Sequence, residues 1–357
     1  MASKMLKTQD FPDLQPARQL WALGDPAQAP FRFQARDRKA ALAWQKRTRA
    51  ALMDLLGVSD QPVWKEFRAQ SVESVDKGDY VREKVLIHVQ PKALMPVYLL
   101  LPKRAPRPGP AVLALAGHGY GVKDIVGLWE DGAEREVPDG YHKDFAVALC
   151  RRGFAVAAPE ISCFGERQTD FSYLEPGQGA PSTCTHTAML AFHLGRSVVG
   201  LRVLEARRLV DYLATRREFD CSRLGAMGIS GGGMHTFFSA CTDTRIKAAV
   251  ISGYYSTFKD SILGMSHCAC NFVPGLHQFG EMYDLVGLLA PRPILVEAGD
   301  HDPIFPIAAV RRSVERAGQV YGTFDAAGGI ETDFFEGRHQ ISGAKAYDFL
   351  WEGLAGG

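Results

Sequence analysis

Short, uninterrupted apolar runs recur through the second two thirds of the chain: Ala111–Ala116, Phe154–Ala158, Leu224–Ile229, Ala248–Ile251 and Ile294–Val296. A strand buried on both faces reads this way, because neither set of alternate side chains meets water. Longer segments of helical texture lie between them, such as Val198 to Leu213 with its Val/Leu stripe. Strands alternating with helices predict an α/β fold, a doubly wound and mostly parallel sheet covered on both faces. In such sheets reactive groups gather beyond the carboxyl ends of the strands.

Upstream the pattern changes. Val81, Val85, Ile87 and Val89 alternate with Arg82, Lys84 and His88, and Met95 to Leu101 is a second extended segment closed by Pro102. Together they predict an antiparallel entry, ended by a Pro/Arg/Gly hinge from Pro102 to Pro110. Asp37 to Leu56 reads as one amphipathic helix, with Trp44, Ala51, Leu52, Leu55 and Leu56 on one side and Gly57 as its stop. Residues 1 to about 35 are rich in Pro and polar residues and read as an irregular arm. The chain is therefore divided into an N-terminal arm and helix (1–75) packing on an α/β domain (76–357).

Composition narrows the function classes. With 357 residues the chain can bury a large core, and 46% hydrophobic against 23% charged residues is an ordinary globular profile. The 41 Lys+Arg offset 40 Asp+Glu, so the net charge of +1 gives no footprint for nucleic acid or an anionic membrane. The N-terminus has no apolar run of signal-peptide or membrane-span length. Seven irregularly spaced cysteines then fit reduced thiols in a cytoplasmic protein. Homo-oligomer formation is left open.

Candidate chemistry begins at Gly228-Ile229-Ser230-Gly231-Gly232, a G-x-S-x-G motif between the apolar run Leu224–Ile229 and a helical segment. A serine on so sharp a strand-to-helix turn is strained, and its neighbours two residues away must lack a Cβ. Ser230 is thus the candidate nucleophile, with the helix N-terminus aimed where negative charge would develop. A hydroxyl needs a base to take its proton, and partners placed later in the chain should come in the order Ser, acid, His. His339, in the loop Glu336–Gln340, is the candidate base. For the acid, Asp300 and Asp302 compete in the loop after Ile294–Val296; Asp302 is preferred because it stands farther out, and Asp300 is assigned to stabilising the turn. The backbone N–H groups of Gly231 and of Tyr120, in Gly117-His118-Gly119-Tyr120-Gly121, are assigned to an oxyanion hole.

The HGYG loop, the GISGGG elbow, APRPILVEAGDHDPIFP and the late His339 together resemble the α/β-hydrolase superfamily from about residue 75 to the end. Within it the chain is similar to the dienelactone-hydrolase-like and acetyl-xylan-esterase-like branch, through LGRSVVGLRVLEARRLVDYLATRREFDCSRLGAMGISGGG and SHCACNFVPG. The resemblance implies carboxylic-ester hydrolysis without a cofactor, on a small-molecule ester. Dienelactone hydrolases proper use a cysteine nucleophile; Ser230 favours an esterase, and the HGY loop, shared with carbohydrate deacetylases, hints at acetyl esters. A prolyl-oligopeptidase-type peptidase needs a large propeller that residues 1–75 cannot supply. A binding protein on the same fold would have no use for the full set of Ser, Asp, His and oxyanion loop.

Other residues carry weaker signals. Trp129, Tyr254 and His267 are candidates for lining the substrate pocket. Glu166-Arg167 reads as a structural ion pair. Ser266-His267-Cys268-Ala269-Cys270 invites a metal reading, but C-x-C with one adjacent His is not a zinc spacing and lacks a partner pair, so no metal is expected.

Overall fold

In the run at 111–116 alternate residues do point to opposite faces of a sheet, and both faces are buried: Ala111, Leu113 and Leu115 join one apolar cluster, Val112, Ala114 and Ala116 the other. The computed structural model describes residues 5–59, 61, 65–105, 107–175 and 179–355. The ends of the expected arm (1–4) and of the domain (356–357), and one residue of the Pro/Arg/Gly hinge (106), lie outside it. In chain order the main elements are α1 (Pro16–Leu23), α2 (Arg38–Leu55), β1 (Gln70–Asp76), β2 (Tyr80–Gln90), β3 (Ala93–Pro102), β4 (Gly109–Leu115), α3 (Phe145–Arg151), β5 (Ala155–Pro159), α4 (Thr183–His193), α5 (Val198–Leu213), β6 (Phe219–Ile229), α6 (Gly231–Thr242), β7 (Ile246–Ser252), α7 (Met282–Leu285), β8 (Ile294–Gly299), α8 (Ile307–Gly322), β9 (Ile330–Phe335) and α9 (Ala346–Ala355).

One sheet runs in the order β1-β2-β3-β5-β4-β6-β7-β8-β9. β1, β2, β3 and β5 pair antiparallel, and from β5 across to β9 every pairing is parallel. Helices α2, α4, α5, α6, α7 and α8 contribute to the apolar cluster on one face, α3 and α9 to that on the other. The strand order reverses at β4, whose neighbours are β5 and β6. A crevice forms at such a switch point, outside the carboxyl ends of the strands.

The structure departs from the sequence pattern in three places. The arm holds a two-turn helix, α1, opened by Pro16 at its first turn; none of its residues is buried, so no apolar periodicity announces it. Strand β1 is almost wholly exposed and is held only along one edge by β2, and the expected boundary at residue 75 falls within it. Helix α4 begins at the cap Ser182, whose side chain accepts from Thr185 N.

Helix α2 keeps its predicted place but buries a slightly different face. Asp37 caps it, accepting from Ala40 N at 2.8 Å, and Gly57 follows at φ +65°. Its buried positions are Ala41, Trp44, Gln45, Thr48 and Leu52. The Trp44 indole donates to Phe31 O (2.9 Å), and the Gln45 amide donates to Gly287 O and Ala290 O (2.6 and 2.5 Å). Arg49 donates to Cys241 O and Leu288 O (3.0 and 2.6 Å). These bonds tie the helix to carbonyls at the end of α6 and around α7, so the arm's second helix belongs to the same packed body. Truncating Trp44 to Ala removes a buried indole and an inter-segment hydrogen bond. Urea unfolding of Trp44→Ala should show a loss of about 3–5 kcal/mol; a change under about 1 kcal/mol would mean that α2 merely decorates the surface.

Candidate active site

Ser230 sits where β6 turns into α6, with φ 57° and ψ −120°. That is a conformation non-glycine residues avoid, and holding it costs on the order of 1–3 kcal/mol. Backbone packing enforces it. A Cβ on Gly228 would run into the carbonyl of Gly232, one on Gly232 into the carbonyl of Leu115 in β4, and one on Gly233 would lie 2.6 Å from Ser252 O. Ser230 N donates to Ser252 O at 3.0 Å, and Met234 N closes the first helical bond onto Ser230 O at 2.8 Å. As the first residue of α6, Gly231 has no intrahelical acceptor for its N–H. Ser230 is 9% exposed, so the turn is nearly buried.

His339 lies in the loop after β9, and its Nδ1 is 2.6 Å from Asp302 Oδ2. The other carboxylate oxygen of Asp302 accepts from Ile304 N and Phe305 N at 2.9 and 3.0 Å. The Asp302 side chain is 1% exposed, that of His339 17%. With Nδ1–H directed at the carboxylate, Nε2 is left as an acceptor, and it has no partner among the described residues. The imidazole stacks on Phe305 (centroids 5.7 Å apart, planes 15°) and on Tyr141 (5.6 Å, 29°). It also lies over the start of the elbow: a Cβ on Gly253 would meet His339 Cε1 at 3.0 Å and Ile229 Cγ1 at 3.3 Å. Asp300 faces elsewhere. Its Oδ1 accepts from Gly337 N at 3.0 Å, and it lies 3.6 Å from the exposed His301, so it braces the turn and does not touch His339.

The HGYG loop leaves β4 beside the elbow. A Cβ on Gly231 would lie 3.2 Å from the His118 ring, which itself packs on Phe164 at 4.7 Å. Tyr120 directs its hydroxyl away, donating to Leu128 O (3.0 Å) and accepting from Arg135 (2.6 Å). Beneath the loop is a network the sequence did not reveal. His142, fully buried, accepts from Gly117 N through Nε2 at 2.8 Å and meets Asp124 Oδ2 through Nδ1 at 2.8 Å. An N–H can only donate, so Nε2 carries no proton and Nδ1 carries it toward Asp124. Arg135 bridges Asp124 and Asp144. The Tyr141 hydroxyl donates to the carbonyl of His118. Tyr141, His142, Asp124 and Arg135 thus hold the loop, and no motif spacing marks them. Asp124–His142 copies the Asp302–His339 pairing, but its second nitrogen is taken by backbone.

Of the expected pocket residues, Tyr254 and His267 both pack against Phe305, at 5.5 and 5.3 Å, the ring that also stacks on His339. Trp129 is 40% exposed and lies over the Arg135 guanidinium at 5.1 Å, on the Tyr120 side of the loop. An apolar cavity of about 730 Å³ opens between α1 and the 258–281 segment, and none of Ser230, Asp302 and His339 lines it. Glu166 and Arg167 do not pair with each other: Glu166 binds Lys84 (2.7 Å) and Arg167 binds Glu205 (2.6 Å).

The sheet order, the switch point at β4 and the strand-to-helix turn at Ser230 define an α/β-hydrolase fold. The chain belongs to the Abhydrolase family, whose sequence profile matches residues 26–322 and so takes in α2 and strands β1 to β8. The provisionally named hydrolase YtaP of Bacillus subtilis (strain 168) is 26% identical over 287 residues, covering 78% of this chain and 88% of YtaP. Two solved structures share the fold. One, provisionally assigned as an acetyl xylan esterase of Bacteroides fragilis NCTC 9343, superposes with a TM-score of 0.72 at 18% identity over 90% of this chain and 82% of its own. The other, a glucuronoyl esterase of Solibacter usitatus, gives 0.62 at 15% identity over 87% and 93%.

Glu160, at the end of the strand beside β4, carries a pH signature. Its oxygens accept from Val122 N (3.0 Å) and Glu166 N (3.3 Å), next to the HGYG loop. Burial pushes its pKa up from 4.5 to about 7, against the pull of those two bonds. The folded protein therefore keeps a proton that the unfolded chain gives up. This contribution to stability is fully present below pH 4.5 and lost as pH rises through about 7. Urea titrations across that window should show stability falling with pH in the wild type and falling less in Glu160→Gln; parallel curves would contradict the burial argument.

Proposed function

We propose that this protein is a serine carboxylic-ester hydrolase that works through an acyl-enzyme on acetyl or other short-chain esters. The observation that carries the reading is the His339–Asp302 hydrogen bond of 2.6 Å, with the far imidazole nitrogen unpartnered, over the elbow that presents Ser230. Ser230 Oγ attacks the ester carbonyl as His339 Nε2 takes its proton. The C–O bond to the alcohol then breaks, and His339 returns the proton to the leaving oxygen. Water, deprotonated by the same nitrogen, attacks the acyl-serine and releases the carboxylic acid. Asp302 fixes the imidazole tautomer and stabilises the cation that forms at each proton transfer.

The N–H groups of Gly231 and Tyr120 are the proposed donors to the tetrahedral oxyanion. Gly231 N–H is free of an intrahelical acceptor, and the Tyr120 loop is braced from behind by His142, Tyr141 and Arg135. The slight exposure of Ser230 supports a small acyl group, and the packing of Tyr254 and His267 on Phe305 supports their place in the wall behind the histidine. The esterase names of the two fold neighbours agree with the chemistry, and no cofactor is required by it. A small-molecule ester partner and a cytoplasmic setting belong to the same reading.

Hydrolysis of p-nitrophenyl acetate tests it. Ser230→Ala and His339→Ala should fall to background with the fold intact by circular dichroism. Asp302→Asn should lower kcat/KM by about 10⁴-fold, with Asp300→Asn far less affected. A fluorophosphonate probe should label Ser230. A folded wild type that neither reacts with the probe nor turns over an ester panel, sugar acetates included, would make the protein a binder on a hydrolase scaffold.

A further inference from the structure

The linear spacing at Cys268-Ala269-Cys270 lacks the two further ligands that a zinc site needs, and the fold provides them from elsewhere. Cys184, in the first turn of α4, and His118, from the HGYG loop, meet Cys268 and Cys270 so that the four ligand atoms all lie within 4.8 Å of one another. The neighbouring His267 takes no part; its Nε2 is 3.1 Å from Ser261 Oγ. We propose that Cys184, Cys268, Cys270 and His118 Nε2 form a closed tetrahedral zinc site that pins the HGYG loop to α4 and to the segment around residue 270.

Three features of the cluster carry this. Its chemistry is that of a Cys3His structural site, four protein donors with no position left for water. Its size is right: tetrahedral Zn–S and Zn–N bonds of about 2.3 and 2.0–2.1 Å set an S···N edge of about 3.6 Å, and Cys270 Sγ lies 3.5 Å from His118 Nε2. Its charge is already balanced by the protein. Arg202 is fully buried, and among the described residues no carboxylate forms a salt bridge with it. Its guanidinium donates to the carbonyl of Ser162 at 2.9 and 3.3 Å, lies over Phe164 at 4.6 Å, and reaches Cys270 Sγ at 3.7 Å.

A buried guanidinium needs an anion. Zinc binding supplies one: each of the three thiols loses its proton to solvent, three thiolates and Zn²⁺ carry a net single negative charge, and Arg202 cancels it. A fourth thiol, Cys163, adjoins Cys184 from a backbone position at φ 79°. A disulfide between any two of the three ligand cysteines would leave the third thiol and the imidazole without a role and Arg202 without its anion.

The site does not depend on the acyl-transfer reading, and its test does not use activity. Full-length protein purified without chelator should carry about one zinc per chain by elemental analysis. Replacing it with Co²⁺ should give the visible bands of tetrahedral cobalt and a near-ultraviolet thiolate charge-transfer band. Cys184→Ser and Cys268→Ser should each fall below about 0.1 zinc per chain, while Cys221→Ser, on β6, keeps the full amount. If a serine variant fails to fold, the cobalt spectrum of the wild type decides alone. Less than about 0.1 zinc in wild type grown and purified with zinc would overturn the proposal, whether the denatured chain then shows seven free thiols, an unmetallated cluster, or fewer, a disulfide. Zinc that survives both serine substitutions, or cobalt without the thiolate band, would overturn it as well.

Discussion

The carbonyl of Leu115 at the end of β4 and the start of α6 approach so closely that no side chain fits between them. Gly232 occupies the contact, and a Cβ there would collide with both Leu115 and Ala116 backbone atoms. Gly228 and Gly233 relieve the same crowding against the elbow's own backbone and against Ser252. Because β4 and β6 are adjacent in the sheet, this contact brings the turn bearing Ser230 directly beside the loop that leaves β4. The strain at Ser230 is then maintained by the packed sheet rather than by any contact of the serine itself. Loosening the approach would separate the hydroxyl from the N–H groups of the HGYG loop.

Around that contact, buried charge is distributed so that each group has one task. Asp302 spends one oxygen on two backbone N–H groups and the other on His339, which leaves no freedom for the imidazole to rotate. Glu297, buried in β8, accepts from the Ser252 hydroxyl at 2.6 Å and from Gly343 N at 2.9 Å. It thereby joins the strand end under the elbow to the loop that follows His339, and burial holds its pKa above the usual carboxylate range. On the other side Arg135 bridges Asp124 and Asp144 under the HGYG loop. Breaking any one partner of such a buried set would leave an uncompensated charge, which is why the support is stiff.

The parts of the fold that bury apolar surface were legible in the sequence, and the parts that bury polar groups were not. The apolar runs located β4 to β8 within a residue or two, apart from β6, which starts five residues earlier, and β8, which ends three residues later, because two buried faces leave an unambiguous signature. Strand β1 escaped because it is held by backbone pairing at an edge and covers nothing. On α2 the apolar count found the helix but not its buried face, since Gln45 and Thr48 are inside and reach carbonyls or packing that no hydrophobicity pattern registers. The elbow was readable because its backbone geometry demands glycines at fixed spacing, and His339 was singled out because it falls late in the chain, after the loop of the acid. His142, Tyr141 and Asp124 act through partners far along the chain, and nothing local distinguishes them from surface polar residues.

The thiol cluster extends that argument. A metal site is recognisable from spacing only when its ligands arrive in pairs on one knuckle or helix turn. Here Cys268 and Cys270 share a short turn, while Cys184 and His118 come from two other segments that only the folded sheet brings within reach. His118 has a further position of consequence: its ring edges Gly231, and it stands two residues before Tyr120. Its Nε2 faces Cys270, and its carbonyl accepts from Tyr141, whose ring stacks on His339. One residue therefore touches the cysteine cluster, the helix start after Ser230 and the aromatic wall of the histidine. A metal holding Nε2 would fix the HGYG loop from its front while His142 fixes it from behind. On the acyl-transfer reading proposed above, the loop would then meet a developing negative charge with its N–H groups already in position, at no cost of reorganisation.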